Sequence, residues 1–379
     1  MDFSLTKQEK LFLQMIREFA EKEVKPLAAE VDERERFPLE TVGKMAKIGL
    51  MGIPVPKEYG GAGSTNQMYT MAVEELSRVC ATTGVIVSAH TSLCVAPIME
   101  HGTEEQKKKY LPKLASGQWL GAFGLTEPNA GTDASAQQTV ATPDGDGYII
   151  NGTKIFITNA EYADVFIVFA MTDKSLGTKG ITAFILEKGM KGFSIGKKEL
   201  KMGIRGSATC ELIFEDVRVS KDQVLGKIGG GFGIAMKTLD GGRIGIASQA
   251  LGIAQGALDE TVKYTKERKQ FKRAIAQFQN TQFQLADMKT KVEAARLLVR
   301  SAAYKKDMKL PYSADAAMAK LFAAETSMEV TTKAVQLHGG YGYTREYPVE
   351  RMMRDAKITE IYEGTSEVQR MVISANLLK

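Results

Sequence analysis

Tyr148-Ile-Ile-Asn-Gly-Thr-Lys-Ile-Phe-Ile-Thr158 is the segment that says most about the fold class of this chain. Apolar and β-branched residues flank Asn151-Gly152, a dipeptide typical of tight hairpin turns, so a β-hairpin is predicted here. Similar short apolar runs recur between residues 119 and 219, and no long helical pattern separates them: Val165–Phe169, Ile181–Leu186 and Leu212–Phe214. Clustered strands of this kind indicate an antiparallel β-domain rather than a doubly wound nucleotide-binding unit.

Helical patterns lie on both sides of this β-region. Thr6 and Glu9 have capping-box spacing, and apolar residues then recur at helical intervals as far as Phe19. Residues 68–116 also read as helical, and the glycine-rich segment Glu58–Gly63 before them reads as a flexible loop. After the glycines at 229–233, three long amphipathic patterns over about 234–267, 279–306 and 314–337 predict a helical bundle.

The predicted fold is therefore α+β, with three domains in the order helical, β and helical. The expected boundaries are an N-terminal all-α domain over residues 1–118, a middle antiparallel, barrel-like β-domain over 119–225 and a C-terminal four-helix bundle over 226–379. A chain of 379 residues exceeds the size at which a single hydrophobic core usually stops growing, which agrees with several domains.

Composition excludes several classes of function. Lys and Arg number 50 against 45 Asp and Glu, a net charge of +5 that is spread along the chain and does not indicate nucleic-acid binding. We expect no membrane span, because no run of about 18 apolar residues occurs. The opening Met1-Asp-Phe-Ser-Leu-Thr6 has no basic or apolar signal region, so export is not expected either.

Cysteine and histidine usage points to a reducing compartment and to no metal site. Cys80, Cys94 and Cys210 are well separated and form no C-x-x-C pair, so neither a disulfide framework nor a zinc site is predicted and the cytoplasm fits best. His90, His101 and His338 lack the spacing of metal ligands. The chain also lacks a G-x-G-x-x-G between a strand and a helix, so a nicotinamide cofactor bound in the usual way is not expected.

One acidic residue near the C-terminus, Glu363, is the candidate catalytic group. It follows two bulky residues and precedes Gly364, which lets the backbone turn and a ligand approach. Ser366 and Gln369 have capping-box spacing, so a helix is predicted to begin beside it. A carboxylate between apolar walls has a raised pKa and can serve as a general base. The alternative is a solvated glutamate in a turn between helices.

Five motifs, taken together and in order, resemble the acyl-CoA dehydrogenase family over essentially the whole chain, most closely its short-chain members from anaerobic bacteria. The family's fold has the same helical, β, helical plan. The motifs are Phe123-Gly-Leu-Thr-Glu-Pro-Asn-Ala-Gly-Thr-Asp-Ala134, Phe156-Ile-Thr-Asn159, Arg268-Lys-Gln-Phe271, Gln336-Leu-His-Gly-Gly340 and Ile361-Tyr-Glu-Gly-Thr365.

The resemblance implies FAD as cofactor. Thr126 would bond the pyrimidine side of the flavin, Thr158 would face N5 and Phe156 would stack near the ring. Arg268 and the segment 336–340 would bind the FAD diphosphate and adenosine from a neighbouring subunit, which implies a homotetramer built as a dimer of dimers. The full set of implied FAD-binding residues is Phe123, Leu125, Thr126, Gly131, Thr132, Phe156, Ile157, Thr158, Arg268, Gln279, Gln336, Leu337, Gly339, Gly340, Thr365 and Glu367.

The resemblance also implies a reaction. Glu363 would remove the α-proton of a short acyl-CoA such as butyryl-CoA while the β-hydride passes to the flavin, giving the enoyl-CoA, and the reverse reduction is equally open. Electrons would be exchanged with an electron-transferring flavoprotein. Some relatives carry the base near position 242, but this chain has Gly242 there. The implied substrate contacts are Thr132, Asp240, Arg243, Thr359 and Gly364.

Two alternatives and one departure accompany this interpretation. The alternatives are the reduction of another small enoyl-CoA such as acryloyl-CoA and the binding of acyl-CoA without catalysis. Lys272 follows Phe271 where the family usually has glycine. A bulky cation at that place puts the local turn and the affinity for FAD in question.

Overall fold

The computed structural model describes residues 4–378, so part of the segment on which the absence of an export signal was predicted, residues 1–3, lies outside the described residues. The N-terminal region is helical. Two π-helical segments, Ala20–Val24 and Ala89–Val95, interrupt its α-helices, which are α1 (Lys7–Phe19), α2 (Ala28–Glu33), α3 (Leu39–Lys47), α4 (Asn66–Val79), α5 (Ala81–Ser88), α6 (Ala96–His101) and α7 (Glu104–Ala115).

The capping box predicted at the first helix is present. The Thr6 hydroxyl accepts the Glu9 backbone N–H, and the Glu9 carboxylate accepts the Thr6 backbone N–H at 2.8 Å. The segment Glu58–Gly63 is a loop, as predicted, and it begins within a 3-10 turn, Lys57–Tyr59. The Ala62 N–H donates to the Gly52 carbonyl and the Gly63 N–H to the Val55 carbonyl, at 2.9 and 2.8 Å, so the backbone is tied to the preceding turn.

One helical stretch, Ala81–His101, is long and apolar enough to cross a membrane by length and composition, which the search for apolar runs did not predict. It is 21 residues long, and 89% of its most apolar window is buried inside the protein. The stretch comprises α5, a π-helical segment and α6, and it packs against the sheet and against the long helix α8 (Gly231–Glu267). Its apolar character therefore reflects a position in the core.

The middle region forms one sheet of eight strands. Its strands are β1 (Gly121–Gly124), β2 (Val140–Asp144), β3 (Gly147–Thr158), β4 (Val165–Met171), β5 (Ile181–Glu187), β6 (Phe193–Lys198), β7 (Thr209–Ser220) and β8 (Val224–Leu225). The order across the sheet is β6, β7, β3, β2, β4, β5 and β8, and β1 pairs with β4. Most pairs in the sheet are antiparallel, as predicted, whereas β1 and β2 pair with β4 in parallel.

The predicted hairpin at Asn151-Gly152 is wrong. β3 runs straight through this dipeptide, and its pairing with β7 shifts register there, as at a β-bulge. Asn151 exchanges hydrogen bonds with Asp216 across the bulge, at 3.0 and 2.8 Å. Gly152 is needed for close approach, since a Cβ on it would lie 2.6 Å from the Thr139 hydroxyl oxygen. The chain turns earlier instead, at Gly145 with φ 60°, between β2 and β3.

The C-terminal region is a helical bundle. Its α-helices are α8 (Gly231–Glu267), α9 (Gln279–Asp307), α10 (Ser313–His338), α11 (Val349–Lys357) and α12 (Ser366–Leu377), with a short hairpin of β9 (Lys269–Gln270) and β10 (Arg273–Ala274) after α8. The predicted helix bounds lie within a few residues of these. Alanines dominate the buried faces of α8 and α10, so the two helices pack closely. The helical, β, helical plan is confirmed.

Candidate active site

Glu363 lies in the tight connection between α11 and α12. A short 3-10 turn, Ile358–Glu360, ends α11, and Glu363 itself has a left-handed backbone with φ 53°. Gly364 follows with φ 93°, a conformation that suits glycine. The helix begins one residue from the predicted cap, because Thr365 accepts the Val368 N–H at 3.4 Å while Ser366 is buried.

The predicted partner in that capping box, Gln369, has a different role. Its amide nitrogen donates to the carbonyl of Gly364 at 2.8 Å and to that of Glu363 at 3.3 Å. Gln369 is fully buried, so these bonds are made away from water. They hold the backbone that carries the candidate base.

The Glu363 carboxyl group is partly withdrawn from solvent, which suits a general base and argues against the solvated-turn alternative. The residue as a whole is half-buried, but its Oε2 is inaccessible to solvent and has no hydrogen-bond partner among residues 4–378. Burial raises the pKa of Glu363 to about 7, against the opposing charges of Lys320 and Arg243. A group that titrates near neutrality and has a free lone pair can accept a proton.

Helix α8 provides the space in front of this carboxyl group. A Cβ on Gly242 would lie 1.9 Å from Glu363 Oε2 and 2.9 Å from Leu93 Cδ2. One turn further along α8, a Cβ on Gly245 would meet the Ser88 and Tyr69 hydroxyl oxygens at 2.4 and 2.6 Å. Gly242 and Gly245 have no side chain. Helix α8 therefore leaves room there for the Glu363 carboxyl group and for the buried hydroxyls of Ser88 and Tyr69.

The other predicted substrate residues surround the same region from α8 and from the turn after α11. Arg243 is buried and donates to Asp240 Oδ1 at 2.5 Å, and the same oxygen accepts the Ser313 hydroxyl at 2.9 Å. Thr359 has no accessible surface, and its hydroxyl donates to the Ala356 carbonyl at 2.7 Å. Thr359 therefore has no surface with which to line an acyl pocket. It would affect the shape of such a pocket only through the residues packed against it.

The predicted flavin residues of the β-region lie at the ends of β1 and β3. Thr126 accepts the Ile155 N–H through its carbonyl at 2.9 Å, which places the two segments side by side. Phe123 packs edge-on against Phe169, while Gly131 and Thr132 are exposed. Phe156 has φ 59° and an exposed fraction of 59%, so a large apolar ring stands uncovered beside half-buried Thr158. Ile157 is buried beneath it.

A buried ion pair between Lys154 and Glu127 holds the loop 125–139, which connects β1 to β2. No sequence motif indicated it. Lys154, fully buried on β3, donates to the Leu125 carbonyl at 3.0 Å, to Glu127 Oε1 at 2.7 Å and to Gln137 Oε1 at 3.1 Å. Glu127 also accepts the Thr139 N–H at 3.0 Å. The start and the end of the loop 125–139 are therefore fastened to one ammonium group.

Five of the remaining predicted cofactor residues lie around one cavity. A cavity of about 530 Å³ is lined by Arg268 and by the segment Gln336–Gly340, together with aromatic residues such as Tyr264 and Tyr341. A Cβ on Gly339 or Gly340 would meet nothing within 4 Å, so a ligand can approach the backbone there. The residues of 123–132 and 156–158 do not line this cavity within the described chain.

Three other predicted cofactor residues lie outside this lining. Gln279 is exposed at the first residue of α9, and Glu367 is exposed in the first turn of α12. Thr365 uses its hydroxyl as the α12 cap, beside Glu363. The structure therefore brings Arg268 together with 336–340, and Thr126 together with β3, but as two separate groups.

Both groups fit FAD. An uncovered phenylalanine ring beside half-buried threonines suits a planar, polar-edged ring, and an arginine above glycine backbone suits a diphosphate. The Arg268 guanidinium also lies 5.4 Å from the centre of the Tyr341 ring, which restrains it at the cavity wall. Bound FAD would supply the acceptor for a hydride.

Comparisons with known proteins agree over the whole chain. Models of the N-terminal, middle and C-terminal domains of acyl-CoA dehydrogenase match residues 6–118, 122–217 and 229–378. The "Acyl-CoA dehydrogenase, short-chain specific" of Clostridium acetobutylicum is 66% identical over 379 residues, covering 100% of both chains.

Solved structures give the same answer. A chain from a structure of the electron transferring flavoprotein of Acidaminococcus fermentans superposes with a TM-score of 0.99 at 59% identity, and butyryl-CoA dehydrogenase from Megasphaera elsdenii with 0.98 at 54%, each covering 100% of both chains. The resemblance drawn from five motifs is confirmed, and the chain belongs to the acyl-CoA dehydrogenase family of FAD-dependent oxidoreductases.

Proposed function

We propose that the chain interconverts butyryl-CoA, or a similarly short acyl-CoA, and its trans-2-enoyl-CoA. The observation that carries this proposal is the Glu363 carboxyl group, whose solvent-inaccessible Oε2 lacks a partner among the described residues and whose pKa is raised to about 7. Oε2 accepts the α-proton of the thioester. Bound FAD would supply the acceptor for the hydride that leaves the β-carbon, so that the substrate loses one proton and one hydride.

The surroundings of Glu363 support its role as the base. The α-proton of a thioester is weakly acidic, so the negative charge that develops on the carbonyl oxygen needs stabilisation in the transition state. We propose that the backbone N–H of Glu363 contributes to it, since Gly364 leaves that side of the turn unobstructed. Gly242 keeps α8 clear of the carboxylate, and Asp240 and Arg243 bind the CoA part of the substrate at the same end of α8.

We further propose an electron-transferring flavoprotein as the redox partner and a homotetramer as the working form. The similarity to a chain from a solved electron transferring flavoprotein structure supports the first. The second is supported by the two separate groups of FAD-fitting residues, because a ligand shared between subunits would use the Thr126 group of one and the Arg268 group of another. The direction of the reaction is then set by the potential of the partner.

An anaerobic titration tests the function. The purified yellow holoenzyme should lose its flavin absorbance on addition of butyryl-CoA and regain it with crotonyl-CoA and an oxidant. Faster reduction by butyryl-CoA than by propionyl-CoA or hexanoyl-CoA is expected, and a clear preference for the three-carbon pair would favour acryloyl-CoA reduction instead. A flavin that butyryl-CoA never bleaches would contradict the proposal and favour an acyl-CoA-binding role.

The base is tested by Glu363→Gln. We expect the variant to bind FAD and crotonyl-CoA normally, while flavin reduction slows by at least about a hundredfold, within the range for removal of a general base. Glu360→Gln is the matched control, because Glu360 lies in the same turn and pairs with Lys357 at 2.6 Å. Near-normal reduction in the Glu363 variant would reject the assignment.

A further inference from the structure

Lys320 is a lysine in an alanine-rich, buried face of the bundle. It lies on α10 between Ala316 and Ala324, and its side chain has no exposed surface. Taking an ammonium group out of water costs several kcal/mol unless strong partners replace the water, so a buried lysine needs a specific interaction. The groups that Lys320 contacts should therefore explain why a lysine is buried at this position.

The contact is with the backbone next to the candidate base. Lys320 Nζ donates to the carbonyl oxygen of Gly364 at 2.7 Å, and the Gln369 amide donates to the same oxygen at 2.8 Å. Gln369 also reaches the Glu363 carbonyl at 3.3 Å. Two buried side chains from two helices thus converge on the short connection that carries the carboxyl group.

This connection needs such support because its backbone is strained. Glu363 has φ 53°, a left-handed conformation that is unfavourable for a non-glycine residue and persists only when its surroundings hold it. The Glu363 Oε2 has no partner in residues 4–378 and cannot supply that hold. Hydrogen bonds from a charged donor are roughly twice as strong as neutral ones, so Lys320 is the stronger of the two holds.

The charge of Lys320 acts on the Glu363 carboxylate without forming a direct ion pair with it. Within the part of the chain that the structure describes, the two side chains form no ion pair within 4.0 Å. Lys320 is nonetheless the largest influence that opposes the raised pKa of Glu363, ahead of Arg243 on α8. Burial chiefly raises the pKa of the Tyr69 hydroxyl on α4 and of adjacent Tyr362, and the charge of Glu363 raises both further. A direct ion pair would block the lone pair that accepts the proton.

Burial and several nearby charges also shift the pKa of Lys320 itself. Burial lowers its pKa to about 8, while Glu363 and the more distant Glu360 and Glu367 raise it and Arg243 lowers it. The group is therefore mostly protonated at neutral pH, and the favourable charge is present in the range where Glu363 titrates.

We propose that Lys320, together with Gln369, is a positioning residue for the reaction: it clamps the Gly364 carbonyl so that the Glu363 carboxylate points at the α-carbon, and its charge keeps that carboxylate ionised. This inference rests on the proposed role of Glu363 as base. Lys320 does not touch substrate, and it acts through the backbone of Gly364 and through the field at Glu363.

The test separates the bond from the charge. Lys320→Gln keeps a donor and loses the charge, and Gln369→Leu loses a donor and leaves the charge. In the holoenzyme, we expect Lys320→Gln to move the acid limb of the pH profile for flavin reduction by butyryl-CoA upward by about one unit, so that the rate at pH 6 falls roughly tenfold and recovers at high pH. Gln369→Leu should lower the rate severalfold at every pH without moving that limb.

Two measurements distinguish positioning from general damage. Crotonyl-CoA affinity, followed by the perturbation of the flavin spectrum, should stay within about twofold in both variants, because neither side chain is in the proposed substrate contacts. Lys333→Met is the matched control on α10, since Lys333 pairs with Glu329 at 2.9 Å at the surface, and it should leave profile and affinity unchanged.

The outcomes are decisive for either variant. An unmoved acid limb in Lys320→Gln overturns the proposal, and if that variant fails to fold, an unchanged rate in Gln369→Leu overturns it. Failure of the proposed function looks different, because Glu363→Gln would then remain active whatever Lys320 does. An inactive Glu363→Gln with an unshifted Lys320→Gln profile rejects this inference alone.

Discussion

Gly242 leaves the space that the Glu363 carboxyl group occupies: a Cβ on the glycine would stand 1.9 Å from Oε2, closer than an unbonded carbon and oxygen can lie. The α8 backbone and the base are thus fitted to each other across the site. The same α8 position was singled out from the sequence as the place where some relatives carry their base, and the structure shows that the two positions face one space.

Gly242→Ala should therefore displace the base. Because the added methyl group occupies the carboxylate position, Glu363 must rotate away, and we expect flavin reduction by butyryl-CoA to slow by at least about a hundredfold, as when a base is misplaced by an ångström. Gly233→Ala is the control on the same helix, since a Cβ there meets nothing within 4 Å. That variant should be as active as the parent chain, and equal activity of the two variants would refute the spatial argument.

The raised pKa of Glu363 makes a prediction about activity against pH. Protonation disables a base, so flavin reduction should fall as the pH drops through about 7 and should level off above it. Stopped-flow reduction with butyryl-CoA between pH 5.5 and 9 measures the acid limb. A limb near the ordinary glutamate value would mean that the carboxyl group is hydrated in the working enzyme.

The same shift predicts that the base costs stability. A glutamate whose pKa is higher in the folded state favours folding at acid pH, and that contribution is lost as pH rises through about 7, by up to about 3 kcal/mol. Glu363→Gln should therefore raise the unfolding temperature at pH 8 and leave it nearly unchanged at pH 5. A gain that is equal at both pH values would point to packing rather than ionisation.

The order of domains was predicted correctly from the sequence, because hydrophobic period distinguishes the helical regions from the β-region. Glu363 was predicted as the candidate base from its bulky neighbours and the glycine after it, but that local pattern also allowed a solvated turn. Asn151-Gly152 misled because a dipeptide that fits a turn also fits a β-bulge, and only pairing with β7 decides between them. The cap at Thr365 instead of Ser366 is a one-residue ambiguity of the same local kind.

Lys154 and Lys320 were missed for a different reason. Lysine is almost never fully buried, so neither residue was singled out from the sequence. Both are fully buried, and their partners lie far away in the chain: Glu127 for Lys154 and Gly364 for Lys320. A lone lysine within the run Ala316–Ala324 was the available signal for the second. Contacts over such separations are set by the tertiary fold and are not visible in a local pattern.

The Lys154 clamp predicts a link between stability and cofactor retention. Lys154→Met leaves the Glu127 carboxylate buried without its cation. We expect this change to lower the free energy of unfolding by about 3–5 kcal/mol. The loop 125–139 should loosen, so the purified variant should hold less FAD and unfold at lower temperature. Lys197→Met is the control in the same sheet, as Lys197 is exposed. Full FAD content together with a lowered unfolding temperature would show that the clamp serves the fold alone.

Lys272 offers a prediction in the opposite direction. Phe271 and Lys272 connect β9 to β10 with φ 50° and 65°, so both central residues of this two-residue hairpin are left-handed, the geometry in which glycine is preferred at the second place. Lys272→Gly should relieve that strain and stabilise the protein by about 1 kcal/mol, with FAD bound as tightly as before or more tightly. Lys272→Ala is the control, because it removes the charge and keeps the Cβ. Calorimetry and FAD release should show a gain for glycine alone, and loss of FAD on the glycine change would mean that the lysine itself contributes to cofactor binding beside Arg268.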